Sequence, residues 1–178
     1  MAFLLGFGAE ATCRAQPKLV TTRGKEFIAP NGSPLLLKGI NLGNWLMPEG
    51  YMFEFKSANS PRLIQTVINQ LVGEDEARRF WKTYHDNYIT AEDIKFIKQA
   101  GFNSIRVPFN YRLFVSEGET KRLEGPGYEL LNRVVGWCKH EELYVVLDMH
   151  AAPGGQTGDN IDDSWGYPFL FESPRARS

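Results

Sequence analysis

The sequence is poor in cysteine and histidine and contains no long apolar run. Of its 178 residues, two are cysteines, Cys13 and Cys138, and three are histidines. Two cysteines so far apart give neither a disulfide framework nor metal-ligand spacing, and Cys138 falls in a predicted amphipathic helix, which indicates a buried free thiol. No segment approaches the roughly 20 apolar residues that cross a bilayer. A disulfide scaffold, a cysteine-bound metal and a membrane span are therefore not expected.

No charge of one sign dominates the sequence. Lysine and arginine total 20 and aspartate and glutamate 21, which gives a net charge of −1. Without a basic cluster, a nucleic-acid partner is not expected. Aromatic residues make up 13% of the chain. Such rings serve as stacking platforms in sugar-binding proteins and as packing in protein cores, so they hint at a sugar ligand without establishing one.

Residues 1–16 differ in character from the rest of the chain. A short apolar run, Ala2–Ala9, is followed by Glu10 and small residues. It could be the remnant of a secretory signal or a disordered leader, although it lacks a basic start and its apolar core is short. Secretion is therefore an open expectation. No domain linker is evident in residues 17–178.

From residue 17 onward the sequence predicts strands that alternate with helices. Short strands at Lys18–Val20 and Glu26–Ala29 predict a β-hairpin. Three core strands are predicted at Leu35–Asn41, Asn103–Phe109 and Leu143–His150, the last as a strand buried on both faces. Helices are predicted at Pro61–Val72, Glu74–Asn87, Thr90–Ala100 and Tyr128–Glu142. This order indicates an α/β fold with a parallel sheet built from right-handed crossovers.

Each predicted core strand ends in polar residues. They are Asn41 and Glu49 after the first strand, Arg106 and Asn110 in and after the second, and Asp148 and His150 at the end of the third. Functional groups collected at the carboxyl ends of strands are typical of the catalytic face of a (β/α)₈ barrel. A doubly wound sheet obeys the same rule, but its first loop usually carries a glycine-rich phosphate motif, which Leu42–Asn44 is not. No cofactor is predicted.

Asp148 and His150 are predicted to form part of the rim of an active site. Side chains alternate along a strand, so both lie on the face of Val146, whereas Val145, Leu147 and Met149 share the opposite face and are expected to pack under helices. The alternative is a buried Asp–His pair that only holds the following loop.

Three segments together resemble the glycoside hydrolases of family 5, which are cellulase-like (β/α)₈ barrels. They are Leu37–Leu46 (LKGINLGNWL), Thr90–Ile94 with Gly101–Phe109 (TAEDI and GFNSIRVPF), and Leu147–Gln156 (LDMHAAPGGQ). The similarity extends from about Lys18 to Phe171 and is greater to the branch that contains exo-β-1,3-glucanases. It implies a β-glucan oligosaccharide or polysaccharide as the partner.

The resemblance also implies roles for individual residues. Arg106 matches the arginine that orients the nucleophilic carboxylate, and His150 matches a histidine that binds a sugar hydroxyl where the bond is cut. Glu49 matches a sugar-binding acid, with a solvated surface acid as its alternative. Asp159 and Asn160 match an Asp–Asn pair that contacts the sugar at the non-reducing end.

Other candidates for substrate binding are two asparagines and several aromatic rings. Asn41 and Asn110 stand at strand ends, and Trp45, Trp165 and Tyr167 could either stack on sugars or pack at the top of the barrel. The aromatic residue that the family places directly before the acid of the Asp–Asn pair is absent, because Gly158 precedes Asp159.

The two catalytic glutamates of this family lie at the ends of the fourth and seventh strands, the first in an Asn-Glu-Pro-like motif. No Asn-Glu pair occurs in this sequence, and a (β/α)₈ barrel takes about 250 residues. Residues 17–178 are therefore expected to form about three βα units of an incomplete catalytic domain, inactive alone. Two other classes stay open: a glycan-binding protein without catalysis, and a metal-dependent hydrolase that uses Asp148 and His150 as ligands.

Overall fold

The computed structural model describes residues 19–115, 125–174 and 176. The predicted leader, residues 1–16, lies outside these residues, and so does Cys13. The chain divides into two compact units, Met1–Leu37 and Lys38–Ser178. Among the described residues of the 178, no helix has the length and apolar character needed to cross a membrane.

The first unit contains a three-stranded antiparallel sheet in the order β1-β2-β3. The strands are Thr21–Arg23, Glu26–Ile28 and Pro34–Leu35. The predicted hairpin is confirmed, but its first strand begins later than Lys18–Val20. A two-residue turn sets this register: Arg23 pairs with Glu26, and Gly24 between them has a φ of 63°, which glycine adopts without strain.

The prediction of one core strand over Leu35–Asn41 is wrong. The segment divides into β3, which pairs with β2, and β4 (Gly39–Asn41), which belongs to a parallel sheet in the second unit. Between them Leu36 is exposed. Gly39 lies close to the neighbouring strand, because a Cβ there would lie 2.7 Å from Ser104 Oγ.

The second unit contains a parallel sheet in the order β4-β5-β6, as the sequence predicted. Its longer strands are β5 (Ser104–Asn110) and β6 (Tyr144–Ala151). Four helices lie close to their predicted positions: α1 (Pro61–Val72), α2 (Glu74–Asn87), α3 (Ala91–Gln99) and α4 (Gly127–His140). Ser60 caps α1, and a reciprocal pair of hydrogen bonds between Thr90 and Asp93 caps α3.

Strand β5 lies at the centre of the sheet and of the hydrophobic core. Its residues Ile105 and Val107 pack in one buried cluster with side chains from the β4–α1 connection, α3 and α4, among them Trp45, Ile94, Ile97, Leu130, Val134 and Cys138. Burial raises the pKa of the Cys138 thiol to about 12. Cys138 is free and 0% exposed, so the predicted buried free thiol is confirmed.

The prediction that the third core strand is buried on both faces is wrong. On β6, Val146, Leu147 and Met149 are 44%, 48% and 53% exposed. The physical reason is position: β6 is an edge strand of the described sheet, so only β5 flanks it, and no described helix covers Leu147 and Met149. The apolar residues of this segment predicted correctly that it forms a strand, but they did not predict how far its two faces are buried.

The carbonyl of His85 anchors α2 to the core. It accepts hydrogen bonds from the Trp45 indole at 3.0 Å and from the Arg133 guanidinium at 3.1 Å. The imidazole ring packs against Trp81 and Tyr84. Burial, partly offset by the negative charge of Asp86, lowers the pKa of His85 to about 4.

We predict that His85 makes folding stability depend on pH between about 4 and 6.5. Within this range the unfolded chain binds a proton at His85 and the folded chain does not, so stability falls as the pH falls, by roughly 2 kcal/mol. Urea unfolding across this range measures it. The variant His85→Gln is expected to flatten the profile, whereas His140→Gln, at an exposed ring, is not. Parallel profiles for His85→Gln and the unmodified chain would contradict the prediction.

Candidate active site

Four polar side chains of the three parallel strands lie together, near the carboxyl ends of β4 and β6. Asn41 on β4 is directly opposite Arg106 on β5, and Arg106 is opposite Val146 on β6. Asp148 and His150 follow Val146 at intervals of two residues, so they lie on the same face of β6. Asn41, Arg106, Asp148 and His150 are called the rim group below.

Arg106 holds the rim group together. Its Nη1 donates a hydrogen bond to Asn41 Oδ1 at 2.8 Å, and its Nη2 donates to Asp148 Oδ2. The same Nη2 lies 3.1 Å from His150 Nδ1. The Arg106 side chain is 40% exposed, so the guanidinium is fixed by its neighbours yet reachable from solvent.

The Asp148 carboxylate lies next to one ring nitrogen of His150. Nδ1 of His150 lies 2.9 Å from Asp148 Oδ2. If Nδ1 carried a lone pair, that lone pair would face the carboxylate oxygen, which is repulsive. Arg106 Nη2, 3.1 Å from the same Nδ1, donates to Asp148 Oδ2 and so has an acceptor other than Nδ1. We therefore predict that a neutral His150 carries its proton on Nδ1 and donates it to Asp148, which would leave Nε2 as a hydrogen-bond acceptor.

Glu49 lies near Asn41. A Cβ placed on Gly43 would be 3.2 Å from Asn41 Nδ2 and 3.8 Å from Glu49 Oε1. The backbone N–H of Glu49 donates to Asn44 Oδ1 at 2.9 Å, which fixes this turn. The Glu49 carboxylate raises the pKa of Tyr51 by its charge and by accepting a hydrogen bond from the phenol. The sequence analysis did not identify Tyr51 as part of this region.

The loop after β6 is attached directly to the site by Gln156. Its amide donates to the carbonyl of His150 at 2.6 Å and accepts from the N–H of Ala152 at 3.2 Å. Asp159 is exposed, and Asn160 begins a 3-10 helix, Asn160–Asp162. Sequence reasoning overlooked Gln156.

Two predicted sugar-binding residues are buried in the structure. Trp45 is 0% exposed and packs in the core, so of its two predicted roles the structure supports packing and not sugar stacking. Asn110 is 4% exposed, donates to Asp163 Oδ2 at 2.9 Å and accepts from the N–H of Arg112 at 2.9 Å. Asn110 was inferred from its position at a strand end and Trp45 from its aromatic ring, and neither criterion distinguishes a rim side chain from one that turns inward.

The remaining candidate rings are open to solvent. Trp165 is 64% exposed, and the guanidinium carbon of Arg62 lies 4.1 Å from its ring centroid. The Tyr167 hydroxyl donates to Glu172, and its ring meets Phe169 edge-on at 5.0 Å between centroids. Trp165 thus keeps an exposed ring beside the loop of Asp159 and Asn160, and its role in sugar binding stays a prediction.

Residues 19–115, 125–174 and 176 contain no group of three or more His, Cys, Asp or Glu side chains arranged to bind a metal ion. His85 and His140 lie on α2 and α4. A separate cavity of about 660 Å³ lies beside α1, α2 and α4, with Trp81 and Arg112 among its lining residues. None of the rim group is among the described residues that line it.

A family model described as cellulase, glycosyl hydrolase family 5, matches residues 65–168, more than half of the chain. A β-xylosidase of Phanerodontia chrysosporium is 32% identical over 141 residues, which cover 79% of this chain and 29% of that protein. A probable glucan 1,3-β-glucosidase A of Aspergillus fumigatus is 30% identical over 125 residues, which cover 69% of this chain and 30% of that protein. A probable glucan endo-1,6-β-glucosidase B of Aspergillus flavus is 28% identical, and the match covers 87% of this chain and 44% of that protein. The chain spans less than half the length of these relatives.

The crystal structure of a rutinosidase from Aspergillus niger is similar in fold. Its TM-score is 0.63 at 20% sequence identity, and the match covers 78% of this chain and 39% of that chain. The parallel strands β4, β5 and β6 with their helices are therefore part of a (β/α)₈ barrel, as predicted.

We predict that neutral His150 is protonated on Nδ1. Long-range ¹H–¹⁵N NMR spectra distinguish the two ring nitrogens, and Nδ1 should show the shift of a protonated nitrogen. Asp148→Asn should redistribute the tautomers, because the amide no longer requires a donor at Nδ1. Glu141→Gln is the matched control, since it removes a carboxylate 2.9 Å from Nδ1 of the exposed His140 and should leave His150 unchanged. A predominantly Nε2-protonated His150 would contradict the prediction.

Proposed function

This chain belongs to glycosyl hydrolase family 5, and we propose on that basis that it works as part of an enzyme that hydrolyses the O-glycosyl bonds of a β-glucan. One observation carries the proposal. The rim group is a connected set of hydrogen bonds at the carboxyl ends of three parallel barrel strands, where barrel enzymes bind their substrates.

His150 and Glu49 supply contacts to the sugar in this proposal. With its proton on Nδ1, His150 presents the Nε2 lone pair to a donating sugar hydroxyl. Glu49, near Asn41, accepts from a second hydroxyl. Asp159, Asn160 and Trp165, on the loop after β6, supply further contacts to the glycan in this proposal. Hydroxyl groups bound by several fixed acceptors orient the sugar ring relative to the bond that is cut.

Arg106 serves the chemical step by holding a carboxylate. In the retaining mechanism that we propose, one carboxylic acid protonates the leaving oxygen while a second carboxylate, about 5–5.5 Å from the first, attacks the sugar and forms a covalent intermediate that water then hydrolyses. A guanidinium fixed by Asn41 and Asp148 is pre-positioned to donate charge-assisted hydrogen bonds to the attacking carboxylate, which keeps it ionised and aimed.

Neither of these two carboxylates is supplied by the rim group. Asp148, its one acid, is already paired with Arg106. The resemblance places both catalytic glutamates on later strands, and the described parallel sheet has three strands. We therefore propose that the 178-residue chain alone binds a β-glucan but does not cleave it.

We predict that the purified chain releases no reducing sugar from laminarin or carboxymethylcellulose, because glycosidic cleavage by this mechanism requires both carboxylates. An intact family 5 β-glucanase, assayed in parallel, serves as the positive control. Appreciable turnover by the chain alone would contradict the assignment of the missing glutamates. Turnover that a chelator abolishes would support a metal-dependent hydrolase instead.

A further inference from the structure

The loop 155–166, which follows β6, is closed by its own hydrogen bonds. The Asp162 carboxylate accepts from the backbone N–H of Thr157 and, at 3.1 Å, from that of Ser164. Gly155 approaches Ser164 so closely that a Cβ on Gly155 would collide with it. These contacts join the two ends of the loop to each other.

A second aspartate, Asp163, binds this loop to other elements. Its Oδ1 accepts from the backbone N–H of Arg62 at 2.8 Å, and its carbonyl accepts from Arg62 Nε at 2.7 Å. Its Oδ2 accepts from Asn110 Nδ2 at 2.9 Å and lies 3.4 Å from Arg112 Nη1. The Asp163 side chain is 0% exposed. One buried carboxylate thus joins the loop to the first turn of α1 and to the end of β5.

The energetics of burial make this attachment restrictive. The Arg62 N–H is one of the first amides of α1, which have no partner within the helix and lie at its positive end. Separating Asp163 from Arg62 while either stays buried would leave a buried charge without this partner, which is far more costly than losing an exposed pair. Asp163 also has a φ of 58°, a conformation that aspartate and asparagine adopt more readily than most residues.

The attachment determines where Trp165 and Asp159 stand. The Arg62 guanidinium, held by Asp163, lies against the Trp165 ring, with the guanidinium carbon 4.1 Å from its centroid. The Asp159 carbonyl accepts from Ser164 Oγ at 2.8 Å, next to Asp163 in the chain. At its other end the loop is bound to the His150 carbonyl through Gln156.

We propose that Asp163 is a positioning residue: its buried carboxylate sets the loop 155–166 against α1 and β5 and so positions Trp165 and Asp159 to contact a glycan bound at the rim group. The part of this inference that concerns the glycan rests on the proposed function. The part that concerns the placement of Trp165 does not.

The variant Asp163→Asn tests the proposal in the full chain. It keeps the shape and the tolerance for a positive φ but removes the charge. Asp75→Asn is the matched control, because it breaks an Asp–Arg pair, Asp75–Arg78, on the exposed side of α2. Arg62→Lys is a second variant, which keeps the positive charge but withdraws the planar group that bonds the Asp163 carbonyl and covers Trp165.

Two readouts separate positioning from general stability. The chain has four tryptophans, so fluorine NMR of the 5-fluorotryptophan-labelled chain should give four resonances, with that of Trp165 assigned by Trp165→Phe. Asp163→Asn should shift or broaden the Trp165 resonance and leave that of the buried Trp45 in place. Calorimetric titration with a laminarioligosaccharide should show that Asp163→Asn weakens binding roughly tenfold. The losses of binding free energy caused by Asp163→Asn and Trp165→Ala should be non-additive in the double variant. Asp75→Asn should change neither readout.

Several outcomes would overturn the proposal. An unchanged Trp165 resonance in Asp163→Asn would overturn it. It would also be overturned if the loss of binding free energy in the double variant equalled the sum of the losses in Asp163→Asn and Trp165→Ala. If Asp163→Asn does not fold, all four tryptophan resonances will move to the positions of an unfolded chain. The proposal is then tested with Arg62→Lys, by the same two readouts. If the unmodified chain binds no laminarioligosaccharide, the proposed glycan contact fails, and the placement of Trp165 is judged on the fluorine spectrum alone.

Discussion

The guanidinium of Arg106 is the interaction on which the site depends, because it joins the carboxyl ends of all three described parallel strands. It extends from the central strand β5, donates to Asn41 of β4 on one side and to Asp148 of β6 on the other, and lies next to His150. The buried side chains of β5, Ile105 and Val107, anchor that strand in the core. The position of Arg106 is therefore fixed by packing below and by hydrogen bonds at the rim.

Much of this arrangement could be predicted from the sequence because its causes are local. Ser60 with Pro61 marks the start of α1, and Thr90 with Asp93 that of α3, since helix ends need capping groups. The alternation of side chains along a strand placed Asp148 and His150 on one face. Because parallel strands end at the same edge of a sheet, Arg106 was expected to lie near Asp148 and His150. The motif resemblance to family 5 enzymes then indicated the barrel.

The features that sequence reasoning missed depend on contacts between distant residues. The register of β1 follows from its pairing with β2, and the exposure of Leu147 and Met149 follows from the edge position of β6. Asp163 is 101 residues from Arg62 in the chain, and nothing in its neighbourhood distinguishes it from the adjacent Asp162. Only the fold shows that one acid closes its own loop while the other binds that loop to α1 and β5.

The most direct test of the central claim is an NMR titration of the chain with a laminarioligosaccharide, with the signals of both backbone and side chains followed. If the rim group holds the sugar, the largest shifts will fall on the Asn41 amide, the Arg106 guanidinium and the His150 ring. Shifts confined to the cavity beside α2, at Trp81 and Arg112, would contradict the account, and so would the absence of any shift.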